Sequence, residues 1–431
     1  MSAHTFSKVH LLASLMLAGT VVPSLALGQT GDQAPVVSLA EARRRAASID
    51  PDAVAARSRV GTAAWERRAA MTNLFTPTLT GGVSYIHFSD PFFNFGTGAI
   101  SPNATSATIE ARYTVLGAGK FGTLKSSRAS LESAEANETA SRFLTALSTD
   151  AAYFAVLADR ELARVATDRL KRAEEQFGVA RVRVLAGEAI ASDSLQLLLE
   201  VNRARLAMLS RDSALVASRL RLGSQIGLTG PAEAAAIDTA LPPQLPFSAD
   251  EAASELRRRG PDIEAARADE RRADAVLGAE RERYMPEISL GATTGAYDSE
   301  LFPSALRRSQ LSVTVSLPFW DGGLRELSVA RLQADRSVAR ARRQERERSA
   351  AERVSQAYHG YLTSRAGIEL ALVGVAVSTE NYRVQRARYR EGATTILDLL
   401  EAQVALSEAE ASLVQSRFAT RLALAQIESL L

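Results

Sequence analysis

The chain repeats itself. Ser38-Leu39-Ala40-Glu41-Ala42 returns 210 positions later as Ser248-Ala249-Asp250-Glu251-Ala252. Each has the S-x-x-E form of a helix start, in which hydroxyl and carboxylate satisfy free backbone amides reciprocally. At the same offset Pro51-Asp52-Ala53-Val54-Ala55-Ala56-Arg57 matches Pro261-Asp262-Ile263-Glu264-Ala265-Ala266-Arg267, and Pro77 and Pro286 close the helices that follow. The fold must therefore accommodate two copies of one unit, expected over 29–228 and 248–431. Between them, 229–247 reads as an extended linker, because Pro231, Pro242, Pro243 and Pro246 interrupt regular structure.

Within each copy the hydrophobic period changes. Ala107, Ile109, Ala111, Tyr113 and Val115 alternate with Ser106, Thr108, Glu110, Arg112 and Thr114; Leu311, Val313, Val315 and Leu317 alternate with Ser312, Thr314 and Ser316. Period two predicts half-buried strands, at about 78–88, 104–116, 287–297 and 309–319. Phe-bearing loops join them in pairs. After each second strand proline disappears, with none between Pro102 and Pro231 and none after Pro318. Since an interior proline costs a helix about 3 kcal/mol, these stretches can form very long helices. Leu170, Phe177 and Val184 recur at seven-residue spacing, and so do Val375, Tyr382 and Tyr389, the spacing of coiled-coil seams. An offset of 205 aligns Gly187 with Gly392 and Asp193 with Asp398, so both glycines are expected at helix-to-helix turns.

Composition removes several functions. The chain has 431 residues, 51 basic and 49 acidic, so no one-signed field is available to hold nucleic acid. Without cysteine there is no thiol chemistry, no Cys-held zinc or iron and no lipid anchor on cysteine. The four histidines are His4, His10, His87 and His359, and two of them fall in residues 1–28, which read as a secretory signal peptide: Lys8, then an apolar run, then small residues before Gln29. No cofactor and no metal site is expected, and no later helix is expected to cross a bilayer. No extension is expected after the final helix.

Four strands are too few to close a barrel, but strands of this alternation suit a membrane β-barrel completed by other chains. Tyr85, His87, Phe88, Phe92, Phe93 and Phe95 at one end, and Phe319 and Trp320 at the other, would form its two aromatic girdles. A soluble sheet with one buried face has the same alternation. The opening S-L-x-E-A, the P-D-x-x-A-A-R helix followed by proline and strand, Leu317-Pro318-Phe319-Trp320-Asp321-Gly322-Gly323, and Gly392-Ala393-Thr394-Thr395-Ile396-Leu397-Asp398-Leu399-Leu400-Glu401-Ala402 carry a resemblance over nearly the whole exported chain. It resembles the TolC family of outer-membrane efflux and secretion channels.

That resemblance implies an α+β membrane protein in which a duplicated β-hairpin is followed by long coiled-coil helices. It implies a homotrimer with a twelve-stranded barrel among outer-membrane lipid and an α-helical barrel through the periplasm. The expected partners are a periplasmic adaptor and an inner-membrane transporter, and the expected role is small-molecule efflux, with type I protein secretion or metal-ion efflux as alternatives. It further implies that Asp398 and Glu401 line the closed periplasmic entrance, that Tyr389 bonds to Asp193 across neighbouring helices, and that Gly187 and Gly392 are the turn tips. Other readings of the same residues stand beside these: Thr395-x-x-Asp398 is also a capping box, and Tyr389 also continues a heptad seam. The family's latch arginine is Thr394 here, and the first copy has Val115-Leu116-Gly117-Ala118-Gly119 where the second has a proline. A periplasmic coiled-coil adaptor is the distant alternative, but it needs a flanking all-β module that the sequence does not show. An enzyme is not expected, because His359 has no nucleophile pattern around it.

Overall fold

The computed structural model describes residues 34–431 apart from 95–97, 118, 188–189, 239, 301 and 303–305, so the expected signal peptide lies outside the described residues. The chain runs β1 (Val36–Val37), α1 (Leu39–Ile49), α2 (Pro51–Phe75), β2 (Thr78–Asn94), β3 (Ala99–Leu116), α3 (Lys120–Leu185) and α4 (Ala191–Gln225). It continues through β4 (Glu233–Ala234), α5 (Ala249–Arg259), α6 (Pro261–Glu282), β5 (Glu287–Asp298), β6 (Leu306–Ser316), α7 (Leu324–Arg390) and α8 (Ile396–Leu430). The order short helix, helix, hairpin, long helix, helix thus occurs twice. At 66 and 67 residues, α3 and α7 span about 100 Å at 1.5 Å per residue.

The two S-x-x-E starts behave differently. Ser248 and Glu251 make the full reciprocal box. Ser38 accepts from the Glu41 amide at 3.3 Å, but the Glu41 carboxylate is engaged by Arg44 and Arg45 instead of returning to the cap. The expected reciprocity therefore holds only in the second copy. Local sequence decides it: Arg43-Arg44-Arg45 follows one residue after Glu41, and Arg44 and Arg45 at i+3 and i+4 draw its carboxylate into ion pairs along the helix.

The hairpins form one antiparallel sheet in the order β2-β3-β5-β6. The first hairpin is longer than expected, because pairing resumes beyond a break between His87 and Phe92. His87 pairs with Asn103 and Phe92 with Ser101, so Pro91 and Pro102 both sit in the break, where no ladder amide is required. β6 is displaced from the expected 309–319 to 306–316, and Leu317-Pro318 leaves the sheet.

Below the sheet α3 packs against α2 and α6, and α6 against α7; farther along, α3 lies between α4 and α8, and α8 against α7. A side layer of α1, α5 and the parallel β1–β4 pair crosses the middle of α3 and α7. Two fully buried tyrosines fasten the linker: the Tyr153 hydroxyl lies 2.8 Å from the Ala235 carbonyl, and Tyr361 donates to the Pro243 carbonyl at 2.6 Å. Asp150, 2% exposed, takes a two-pronged ion pair from Arg43 of α1. Asp150 is buried while Arg43 stays partly in water, so the contact ties α1 to α3 and leaves the carboxylate dependent on that one arginine.

Against expectation, one stretch of α7 is apolar enough by length and composition to cross a bilayer. Little of it is buried, and it continues into strongly charged helix at its amino-terminal side. Its exposed apolar residues Leu370, Val373 and Val377 recur at three- and four-residue spacing, the mark of a helix seam.

Candidate functional site

The far end of the helices is built on two left-handed glycines, Gly187 at φ 74° after α3 and Gly392 at φ 70° after α7. The chain reverses at both, since glycine adopts this conformation without a Cβ clash. Behind the turns Ala180, Leu197, Tyr382, Tyr389, Ile396, Leu399, Ala402 and Leu406 form a local core, joining α3, α4, α7 and α8.

Asp398 does complete the capping box. Its amide donates to the Thr395 hydroxyl at 3.3 Å, and its Oδ2 accepts from the Thr395 amide at 3.1 Å and lies 2.7 Å and 2.8 Å from the Thr395 and Thr394 hydroxyls. Those hydroxyl contacts, then the Thr395 amide, hold the Asp398 carboxyl below the usual carboxylate range against a small opposing effect of burial, and Arg388 adds to the lowering. The Asp398 side chain is nonetheless exposed, and so is Glu401 one turn on. Three residues apart, they share a helix face.

Tyr389 is buried at 3% exposure, as its heptad position predicts, and its hydroxyl has no hydrogen bond of normal geometry. Asp193 in the first turn of α4 lies close enough to act on it: burial pushes the phenol's pKa up, the Asp193 charge raises it further, and Arg183 opposes. The structure thus brings Tyr389 and Asp193 together within one protomer, whereas Asp398 and Glu401 lie on the other side of the turn.

Arg183 was not singled out from sequence. Its Nη1 donates to the Tyr389 carbonyl at 2.6 Å and its guanidinium lies 5.4 Å from the Tyr389 ring centre, so α3 grips the α7–α8 turn. Arg388 donates to Ala393 O across the same turn at 3.2 Å. The two arginines are 205 positions apart, the offset that relates the two halves, and that was the available signal. Above the tip Gln176 and Gln403 are fully buried; Gln176 donates to Tyr382 at 3.3 Å, and neither amide atom of Gln403 has a partner.

The sheet separates by chemistry. On one face the rows are Leu79–Ala111–Ala292–Leu311, Gly81–Ile109–Thr294–Ser309 and Val83–Ala107–Ala296–Arg307. On the other they are Thr78–Arg112–Gly291–Ser312, Thr80–Glu110–Thr293–Gln310 and Gly82–Thr108–Gly295–Arg308. Thr294 and Ser309 hydrogen-bond to each other at 3.0 Å, which satisfies the hydroxyls set in the apolar face. Phe319 and Trp320, 87% and 80% exposed, follow the end of β6. A sheet with one wet and one apolar face, aromatic residues at its end and unpaired outer strands suits a membrane wall.

Residues 40–228 and 252–431 match the outer membrane efflux protein family. The chain belongs to that family. Its members are outer membrane proteins. Among its relatives, the probable efflux pump outer membrane protein TtgC of Pseudomonas putida is 26% identical over 62% of this chain and 56% of its own length. The outer membrane protein OprJ of Pseudomonas aeruginosa is 30% identical over 66% of this chain and 61% of its own. The matched region therefore spans less than two thirds of either relative. In fold, the Campylobacter jejuni CmeC outer membrane channel superposes with a TM-score of 0.79, covering 91% of this chain and 85% of that one at 16% identity.

Proposed function

We propose that three copies of this chain close side by side into a channel, the outer-membrane duct of a tripartite efflux pump. In this reading small molecules reach it from an inner-membrane transporter through a periplasmic adaptor. The observation that carries the assembly is the agreement of the two flanks of the protomer. One flank offers the free edge of β2 and, on α4, the exposed stripe Leu195, Leu199, Leu206, Leu209, Val216 and Leu220. The other offers the free edge of β6 and, on α7, Leu370, Val373 and Val377. Side-by-side closure pairs edge with edge and stripe with stripe, leaving neither a sticky strand nor a wet apolar seam. It also puts the apolar sheet face toward lipid and the Thr, Ser, Gly and Gln face toward a watery lumen.

The efflux role is supported by the family and by the likeness to TtgC, a probable efflux pump outer membrane protein. At the periplasmic end the six helix turns of a trimer make the entrance. Three copies of Asp398 and of Glu401 converge on its axis, while Tyr389, Asp193 and Arg183 hold each turn behind it. The role proposed is passage, with no bond made or broken.

The test uses the full chain extracted from outer membranes. Chemical cross-linking in detergent is expected to stop at the trimer, and planar bilayers are expected to show discrete ion conductance. A stable monomer, or recovery in the soluble periplasmic fraction, sinks the reading.

A further inference from the structure

Arg307 breaks the rule of its own surface. It stands in the row Val83–Ala107–Ala296–Arg307 on the apolar face of the sheet, exposed, and its side chain makes no ion pair or hydrogen bond among the described residues. The next outward residues along β6, Ser309, Leu311, Val313 and Val315, descend from it to the Phe319–Trp320 end. Eight residues from Val315 to Arg307 rise about 26 Å along the strand, or about 20 Å in height at the usual tilt. With the aromatic pair lower still, Arg307 comes to the far boundary of an apolar band about 25 Å tall.

The row above confirms the boundary: Tyr85 stands there half-exposed, and above it His87 and Asn103 pair through the Asn103 carbonyl oxygen at 2.7 Å. The nearest acid on this face, Asp298, is one row up on β5 and accepts from the Ser299 and Glu300 amides at 2.7 Å and 3.3 Å. It makes no ion pair with Arg307. A guanidinium cannot shed its proton, so at this depth it reaches up to the water boundary, where headgroup phosphates lie and where its planar fork matches phosphate oxygens two at a time.

We infer that Arg307 is a binding site for the phosphate of a lipid headgroup in the external leaflet of the outer membrane. The inference rests on the barrel reading above, which makes the apolar face the lipid face. Lipid fixed there would grip each protomer at the external rim, next to the β6 edge at which a neighbour joins.

The probe is lipid A, whose glucosamine headgroup carries phosphate, offered in phosphatidylcholine nanodiscs to the purified full-length protein, with dephosphorylated lipid A as comparison. Retained lipid is counted by native mass spectrometry. Arg307→Gln is expected to weaken retention of the phosphorylated lipid about tenfold, the scale of one lost charge-assisted contact, and Arg307→Lys to recover part of it. Arg308→Gln, on the opposite face of β6, is expected to retain lipid as the wild type does. Equal retention by Arg307→Gln, or equal retention of the dephosphorylated lipid, overturns the inference; competition by inorganic phosphate alone assigns the site to free anions and overturns it too. If Arg308→Gln loses lipid and Arg307→Gln does not, the faces are reversed and the barrel reading fails first. Trimer yield measured on the same samples separates loss of lipid from loss of assembly.

Discussion

At the entrance, one carboxylate is asked to do two things. Asp398 caps α8 within its own chain, and its side chain remains exposed to whatever gathers on the trimer axis. The cap has a pH signature. Because the folded pKa lies below the ordinary value, its contribution is present above the unfolded pKa, about 4, and is lost as pH falls through the lower folded one. Asp398→Asn is therefore expected to raise amide exchange in the first turn of α8 at pH 7, with the difference from the wild type shrinking as pH falls below about 4. No difference at pH 7 rejects the cap. The pore role has a separate signature: divalent cations added from the periplasmic side are expected to block conductance by relieving repulsion among six carboxylates. The pair Asp398→Asn with Glu401→Gln should abolish that block and leave trimer yield unchanged. Block that survives places the constriction elsewhere. Two glycines offer a contrast. At Gly187 a Cβ meets nothing within 4 Å, so Gly187→Ala costs only its left-handed backbone, about 1–2 kcal/mol. Gly117, at φ 105°, would put a Cβ 2.3 Å from the Pro286 carbonyl oxygen. Overpacking adds to strain there, and Gly117→Ala should lower stability by about 2–5 kcal/mol in thermal unfolding.

Helices and strands were legible to different depths. The hydrophobic period located all four long strands, the absence of proline announced α3 and α7, and the 205-residue offset placed both turns on their glycines. The first hairpin departs from its prolines: Pro91 and Pro102 suggest a loop, yet they share one register break inside a longer ladder. A single chain cannot reveal which residues face each other across that ladder. The same limit hid Arg183, whose carbonyl partner lies on α7, and the linker's anchorage by Tyr153 and Tyr361, which depends on contacts 82 and 118 residues apart in sequence. The seam stripes, by contrast, are plain heptads whose partner is missing from the protomer. Leu206 and Leu370 are 70% and 74% exposed in one chain, so replacing either with Glu should leave the protomer folded and abolish the trimer on cross-linking. A charged variant that still assembles means the stripe faces something other than a neighbour.

For the whole molecule the testable quantity is direction. Phe302, 82% exposed between β5 and β6, is expected outside the cell, and Glu391, beside the Gly392 turn, in the periplasm. Phe302→Cys should react with an impermeant maleimide on intact cells, and Glu391→Cys only after the outer membrane is opened. The reverse pattern inverts the topology. Between these two ends lies the crossing of strand into helix, where backbone meets backbone: a Cβ on Gly117 would touch Pro286 and Glu287, and one on Gly122 would lie 2.5 Å from the Cα of Ala279. A joint this close-fitted cannot swivel. The helices below it are then cantilevers clamped at the membrane, and any widening at their free ends must be taken up as curvature along their length. Over about 100 Å of helix, a sideways travel of about 10 Å amounts to about 6° of tilt at the chord, within the gentle bending that long helices sustain without a kink. The mouth can thus open by flexing of its walls while the pore in the membrane keeps its bore.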